Sequence, residues 1–313
     1  MTITTTPAAP PPASAQAAPK LDIETPGQRF RRDFFASKVA VTGLIVLVLL
    51  IVLALLAPWI APQNPYDLGQ VDILDSKLPP GTKSSDGKYT HWLGTDGLGR
   101  DLFSAMLYGL RISLAVGVFS GILAMMVGAS VGLIAAYAGG VTESLIMRLV
   151  DLQLSFPAIL VALMLVAALG KGVDKIIIAL VTVQWAYYAR TVRGTALVER
   201  RKDYVEAARC LGLSNRRIVL GHILPNCLPP LIVVATVQAA HAIALEATLS
   251  YLGVGLPQTE PSLGVLISNG FDYLLAKKYW ISVLPGLLLL VTIVAINLVG
   301  DHLRNVLNPR LQK

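Results

Sequence analysis

The composition of this 313-residue chain is that of a membrane protein. Apolar residues make up 54% of it, charged residues only 14%, and the mean hydropathy is +0.64. Soluble domains usually carry about 25% charged residues, so an ordinary soluble domain is excluded. The basic residues behind the net charge of +7 flank apolar segments. We therefore expect a lipid environment and no nucleic-acid partner.

The first apolar segment follows a polar tail. Residues 1–28 are rich in Pro, Ala and Thr and bury too little apolar surface to offset the cost of ordering, so we predict that they are disordered. Residues 39–57 form a run of 19 residues in which Thr42 is the most polar. A cleaved signal peptide, the alternative, has a shorter apolar core of about 7–15 residues. We therefore predict an uncleaved first span and a transmembrane domain over residues 29–313.

Further apolar segments are long enough to cross a bilayer, which takes about 20 residues each. They cover residues 111–136, 145–169, 173–192, 228–252 and 280–300. The segment 173–192 is the weakest, because Gln184 and Tyr187-Tyr188 interrupt it. Together the segments predict an all-α, polytopic membrane protein with about six transmembrane helices.

The distribution of basic residues predicts the orientation of these spans. With six spans and an internal N-terminus, 17 of the 26 Lys and Arg residues fall in cytoplasmic segments and 9 in outer ones. This bias follows the positive-inside rule. It places both termini in the cytoplasm, residues 58–110 in an extracytoplasmic loop and residues 194–227 in a cytoplasmic loop. Without the fourth span, the most basic segment would lie outside.

The cytoplasmic loop predicts two short helices joined by a bend. Asp203 and Glu206 have the spacing of a capping box at the start of the first helix. Gly212 is placed to end that helix in a left-handed conformation, and Ser214 can cap the second helix. A helix of about eight residues is marginal in water by itself, so the pair should dock on something. Two possibilities are the protein's own helices and a cleft on a partner protein.

A signature across this loop resembles a known family. It consists of Glu206-Ala207-Ala208, then Gly212 after three residues, then Leu224-Pro225 after a further eleven. This is similar to the coupling signature of binding-protein-dependent ATP-binding-cassette permeases. The sequence departs from it at His222, where the signature has Ile, although Ile223 follows directly.

Other segments resemble one branch of that family, the C-type subunit of the dipeptide, oligopeptide and nickel permeases. They are 93–101, 147–151 with 155–157, and 246–255 followed by Pro257, Pro261-Ser262 and Gly264. The branch usually has Phe where Tyr251 stands and Trp where Leu263 stands. The Gly-rich stretch 94–101 also predicts tight turns with Asp and Arg partners. Leu102, Met106 and Leu110 after it predict a helix on the outer membrane surface.

The resemblance implies a fold, partners and coupling residues. The fold would be that of a type I importer permease, paired with a second permease subunit as a heterodimer, two ATP-binding subunits and an extracytoplasmic substrate-binding protein. ATP and Mg would bind the partner ATPases, and this chain would bind no cofactor. The bent helix pair would enter a groove on the ATPase. The implied coupling residues are Glu206, Ala207, Ala208, Leu211, Gly212, Ser214, Leu224 and Pro225.

Ionisable and polar residues within the spans are the candidates for the translocation path, because such groups usually face a cavity or a partner. Those on the fifth span are Gln238, His241 and Glu246, of which Glu246 is also open to a structural role. Arg148 and Asp151 are three residues apart on a helix and can form a structural ion pair. Neither Cys210 nor Cys227 has neighbours at metal-ligand spacing, so no metal site and no catalytic residues are predicted.

Three classes of function remain open on these residues. An importer permease needs a separate ATPase, whereas a secondary transporter or channel does not, and a membrane enzyme would need a reactive constellation that the spans lack. Gly170-Lys171-Gly172 is not a Walker A loop, so this chain does not bind ATP by that route. The resemblance favours an importer of di- or oligopeptides across the bacterial cytoplasmic membrane. Nickel chelates, glutathione and sugars remain alternatives.

Overall fold

A computed structural model describes residues 25–67 and 69–307. Within those ranges the regular secondary structure is helical apart from one two-stranded antiparallel ribbon, which confirms the all-α class. In chain order the elements are α1 (Pro26–Ala36), α2 (Lys38–Leu55), α3 (Ala57–Ile60), β1 (Thr82–Lys83), β2 (Thr90–His91), α4 (Leu102–Ala138), α5 (Gly140–Ser155), α6 (Ala158–Leu169), α7 (Val173–Glu199), α8 (Asp203–Cys210), α9 (Asn215–Ile218), α10 (Leu224–Tyr251), α11 (Leu263–Phe271) and α12 (Trp280–Leu307).

The predicted tail ends earlier than residue 28. Helix α1 begins at Pro26 because Thr25 and Gln28 form a capping box. The backbone N–H of Gln28 donates to Thr25 Oγ1 at 3.4 Å, and that of Thr25 donates to Gln28 Oε1 at 3.0 Å. The prediction of disorder was therefore wrong for residues 26–28. For residues 1–24 it lies outside the described residues.

The described part of the chain has four helices that are long and apolar enough to cross a membrane alone. They are α2, α4, α12 and a continuous helix over Asn215–Tyr251, which joins α9 to α10 through a π-helical turn, Val219–Ile223. Helices α5 and α6, bent by 90° at residues 156–157, pass the same test only together, as one broken span or as a re-entrant loop. By length and composition α7, the predicted fourth span, does not qualify. The count of six is therefore not confirmed.

Helix α7 is polar because it lies inside the bundle. It packs against α4, α6 and α10, so protein rather than lipid surrounds much of it. Its contact with α4 is close enough to require glycine: a Cβ at Gly128 would lie 2.3 Å from the carbonyl oxygen of Trp185. A helix covered in this way can carry polar residues that a lipid-facing helix cannot.

Residues 61–67 and 69–101 form a folded loop between α3 and α4, which we call the loop cap. It ends at Asp101, whose carboxylate caps α4 by accepting from the Ser104 backbone N–H at 2.8 Å. Residues 102–110, predicted as a surface helix within the outer loop, are instead the first turns of α4. Leu102 and Leu110 are fully buried there, and Leu110 packs with residues of α2 and α11. This placement corrects the predicted loop boundary at 110.

The Gly-rich end of the loop cap has the predicted turns. Asp96 Oδ1 accepts from the backbone N–H groups of Leu98 and Arg100, each at 2.9 Å, and Asp96 Oδ2 accepts from Arg100 Nε at 2.7 Å. Arg100 Nη1 also donates to the carbonyl oxygen of Gln258 at 3.1 Å. The turn thereby ties the loop cap to the segment between α10 and α11.

Candidate coupling site and translocation path

Two short helices, α8 and α9, connect α7 to α10. We call residues 200–218 the elbow. Helix α8 begins at Asp203 with Lys202 in the N-cap position, and no side chain caps it. The predicted capping box therefore does not form, because Asp203 lies one residue too late to be the cap. Asp203 and Glu206 still occupy the first turn, where the helix dipole favours negative charge.

The bend between α8 and α9 is at Gly212, as the sequence predicts. Gly212 has φ +72°. Its backbone N–H donates to the carbonyl oxygen of Arg209 at 2.9 Å, and that of Leu213 donates to Ala208 at 3.2 Å. These two bonds form a Schellman motif, which satisfies carbonyl groups at the end of α8. Ser214 occupies the N-cap position of α9, but its side chain makes no capping hydrogen bond.

One face of the elbow packs on the protein's own helices. Val205, Ala208 and Ile218 are buried in a cluster with Leu133 of α4 and Ala196 of α7. Of the two docking surfaces that the sequence allows, the protein's own helices therefore cover most of the apolar side chains of the elbow.

Hydrogen bonds fix the first residues of the elbow. Arg200 Nη1 donates to the carbonyl oxygens of Ala136 and Tyr137 at 2.9 and 3.1 Å, at the end of α4. The Tyr204 hydroxyl donates to Glu199 Oε2 at 2.6 Å and accepts from Asn226 Nδ2 at 3.2 Å. Partial burial and the bond to Glu199 raise the pKa of Tyr204 to about 12, so the hydroxyl keeps its proton. The elbow is thus held in a fixed orientation to α4, α7 and α10.

The opposite face of the elbow is exposed. Leu211, at its tip, is 80% exposed. The side chain of Glu206 is exposed and makes no hydrogen bond or ion pair with any described residue. Most of the implied coupling residues share this outer face, whereas Ala208 is buried and Leu224 half-buried. Those on the exposed face are Glu206, Ala207, Leu211, Gly212 and Ser214, with Pro225 exposed at the start of α10.

The candidates on α10 have different surroundings. Glu246 is fully buried and accepts from Ser113 Oγ at 3.1 Å and Ser250 Oγ at 2.8 Å. It joins α4 to α10 within the protein, which favours the structural role that the sequence also leaves open for it. Gln238 is also buried, and its backbone carbonyl oxygen accepts from Gln184 Nε2 at 3.0 Å. Of the three, His241 alone is exposed.

The predicted ion pair between Arg148 and Asp151 is absent from the described residues. Asp151 pairs instead with Arg190 of α7, with Nη2 and Oδ1 2.5 Å apart. Glu143 of α5 likewise pairs with Arg193, whose Nε lies 2.8 Å from Oε1. Both bonds join α5 to α7, and sequence spacing within α5 does not reveal partners on another helix. No group of three or more His, Cys, Asp or Glu residues in the described ranges could hold a metal.

Known proteins resemble this chain in sequence and in fold. Residues 128–313 match the family described as binding-protein-dependent transport system inner membrane component, and residues 25–80 match the N-terminal TM domain of oligopeptide transport permease C. A putative peptide transport system permease protein of Brucella suis is 42% identical over 86% of this chain and 87% of its own. The di/tripeptide transport system permease protein DppC of Pseudomonas aeruginosa is 37% identical over 94% and 95%.

A solved structure has a similar fold at low sequence identity. A chain of the MetNI methionine ABC transporter, in an inward-facing conformation, aligns with a TM-score of 0.53 and 20% identity. The alignment covers 65% of this chain and 96% of that one, which supports the type I importer permease fold. Permeases of such importers are membrane transport subunits without enzymatic activity, and they work with ATPase and permease partners. This chain belongs to the family of inner membrane components of binding-protein-dependent transport systems, the permease subunits of ATP-binding-cassette importers.

Proposed function

We propose that this chain is the C-type permease subunit of a bacterial peptide importer. It pairs with a second, different permease subunit in the cytoplasmic membrane and has both termini in the cytoplasm. Two ATP-binding subunits bind ATP and Mg, and an extracytoplasmic binding protein delivers the substrate. The names of the relatives support a peptide substrate. The mechanical role is supported by one observation: the elbow is anchored on one face and exposed on the other.

The elbow transmits the movement of the ATPases to the spans. Its buried face packs on α4 and α7 through Val205 and Ile218, while Leu211 and the carboxylate of Glu206 are free to contact a groove. ATP binding draws the two ATPases together, and the elbow moves with them. Because Arg200 and Tyr204 tie the elbow to the ends of three long helices, this movement turns the spans. The path then opens outward to receive substrate, and hydrolysis returns it to the inward state.

The coupling proposal is tested by reversing the charge of Glu206. We expect Glu206→Lys to abolish uptake and to weaken binding of the ATPase roughly tenfold or more, since hydrogen bonds to charged groups contribute about 1.5–3 kcal/mol. Copurification of the ATPase and uptake into proteoliposomes are the measurements. Asp272→Lys makes the same reversal outside the elbow, at an exposed side chain that bonds to no other described residue, and should change neither. Normal uptake and normal ATPase binding in Glu206→Lys would show that the elbow is only a connector.

The substrate class is tested by uptake with the complete transporter. We expect ATP-dependent uptake of dialanine in proteoliposomes that contain the cognate binding protein. Glutathione and a nickel chelate are the competing substrates, and sugars are a further control. Uptake of one of these without uptake of dialanine would reject the peptide assignment. ATP-independent uptake of any of them would instead favour a secondary transporter.

His241 is the α10 residue that we assign to the translocation path. It lies in the interior of a long apolar helix and is exposed in the isolated chain, and an ionisable group at that depth is costly against lipid. His241→Leu should lower uptake while assembly and basal ATP hydrolysis stay unchanged. Unchanged uptake kinetics would remove His241 from the path.

A further inference from the structure

A charged surface lies on the face shared by α5 and α7. The side chains of Asp151 and Arg190 form an ion pair, yet they are 65% and 55% exposed. Arg148, one turn earlier on α5, is exposed and has no charged partner among the described residues. We call these three residues the charged face. Glu143 and Arg193, which join the same two helices, are only 20% and 38% exposed. This second pair is therefore the more buried of the two.

On α5 the charged face lies one to two turns before the break at residues 156–157, and Arg190 reaches it from α7. Arg190 is about 14 Å from the end of α7, and Asp151 is about 16 Å from the start of α5, at a rise of 1.5 Å per residue. Apolar side chains surround the pair and are themselves exposed, Leu149 to 57% and Leu152 to 60%. Lipid is an unfavourable neighbour for such a surface. Arginine can reach the headgroups with its long side chain, but Asp151 is too short to do so.

A break in the backbone next to the charged face is also unfavourable against lipid. Between α5 and α6 the chain turns by 90° at Phe156 and Pro157, where the last carbonyl groups of α5 lose their intrahelical donors. Non-helical backbone at membrane depth is tolerated where protein buries it or where it lines a water-filled cavity. Phe156 is 62% exposed and Pro157 is also exposed, so this chain does not bury the break.

We propose that the charged face lines the translocation path and binds the two ends of a zwitterionic substrate. Arg148 and Arg190 bind its carboxylate, and Asp151 binds its ammonium group. Without substrate, the ion pair between Asp151 and Arg190 satisfies both charges. A contact with the partner permease is the competing assignment, but the cores of protein interfaces are depleted in charged residues. The inference rests on the proposed function, because it assumes that the charged face belongs to a transporter of such molecules.

The first test measures access to water. In the assembled transporter in nanodiscs, with Cys210→Ser and Cys227→Ala, a cysteine at Arg148 should react with a negatively charged thiosulfonate. Ile122→Cys, on the exposed apolar face of α4, should not react. Reaction of Arg148→Cys with a membrane-soluble maleimide alone would place the charged face against lipid, and reaction with neither reagent would place it in a subunit interface. Leu152→Cys gives the same test if Arg148→Cys fails to assemble.

The second test exchanges the two charges of the pair. Asp151→Arg with Arg190→Asp preserves an ion pair, so we expect normal assembly and thermal stability. Uptake of dialanine should nevertheless fall about tenfold or more, because the charges that meet the substrate are reversed. The matched exchange, Glu143→Arg with Arg193→Glu, should retain uptake. Wild-type uptake after the exchange at 151 and 190 would show that the pair is only structural.

The two tests also separate this inference from the proposed function. If the wild-type transporter does not take up dialanine, the peptide assignment fails. The thiol reaction needs no substrate, so it still decides whether the charged face meets water. If the wild type takes up dialanine but Arg148→Cys is inaccessible to the charged reagent, the inference fails and the peptide assignment stands.

Discussion

Gly212 makes the bend of the elbow through its backbone alone. Its φ of +72° lies in the left-handed region, and a Cβ built there would meet no other atom within 4 Å. Space therefore does not require glycine at this position. The requirement comes from the backbone conformation, which costs other residues about 1–2 kcal/mol.

Gly212→Leu should reorient α9 and weaken ATPase binding without preventing membrane insertion. Gly221→Leu is the matched control, because Gly221 is exposed, has open space around it and lacks a positive φ. The measurements are the thermal midpoint of the purified permease and the amount of ATPase that copurifies with it. Equal behaviour of the two variants would show that the bend does not depend on Gly212.

Single residues were predicted from the sequence where the requirement is local. Gly212 is an example, because a left-handed helix end needs only its own neighbours. The partner of Asp151 was missed, since Arg190 lies 39 residues away on another helix. Gln184 was recognised only as a break in an apolar run, although it donates to Gln238 across the bundle. Spacing within one helix carries no information about such partners.

At the scale of elements, the contact between α4 and α7 depends on small residues. A Cβ at Gly128 would be 2.3 Å from Trp185 O, and one at Gly132 would be 2.5 Å from Ala189 O. Close approach of helix backbones at glycine is a common way to pack helices in membranes. The elbow is anchored to the ends of both helices, so their separation also affects coupling.

Gly128→Ala should separate α4 from α7 and destabilise the permease by about 1–3 kcal/mol, the usual cost of overpacking a core. Gly121→Ala is the control on the same helix, because its new Cβ would meet only the Tyr188 hydroxyl oxygen at 3.8 Å. Thermal unfolding in detergent is the measurement. A midpoint for Gly128→Ala equal to that of Gly121→Ala would mean that the two helices can move apart at no cost.

Hydropathy predicts a span correctly when the helix faces lipid and fails when other helices cover it. Helices α2 and α12 expose apolar side chains along much of their length, so hydropathy identifies both. Helix α7 packs against α4, α5, α6 and α10 and keeps Gln184 and Tyr188 buried, so a hydropathy criterion does not identify it as a span. The break between α5 and α6 was not predicted either, although Pro157 disfavours a helical conformation at Phe156.

At the scale of the whole molecule, the loop cap and the elbow should lie on opposite sides of the membrane. The loop cap precedes α4, and α4 ends at Ala138, whose neighbours Ala136 and Tyr137 accept hydrogen bonds from Arg200 of the elbow. Helix α4 has 37 residues and is therefore about 55 Å long, longer than the roughly 30 Å hydrocarbon core. One membrane crossing thus separates the two regions.

The basic residues predict which region is inside. The elbow contains six Lys and Arg residues over residues 200–218, and short basic loops stay on the cytoplasmic side. A cysteine replacing Ser85, which is exposed in the loop cap, should therefore react with an impermeant thiol reagent on intact cells. For this measurement Cys210 is first changed to Ser, because it is also exposed.

The elbow supplies the matched measurement. With Cys210 still replaced by Ser, a cysteine at the exposed Ser214 should stay unlabelled on intact cells and react once the membrane is permeabilised. The native Cys210 should behave in the same way in the unmodified chain. Cys227 is buried and should contribute little to either measurement. Labelling of Ser214→Cys on intact cells would reverse the orientation of the chain and remove the elbow from any contact with a cytoplasmic ATPase.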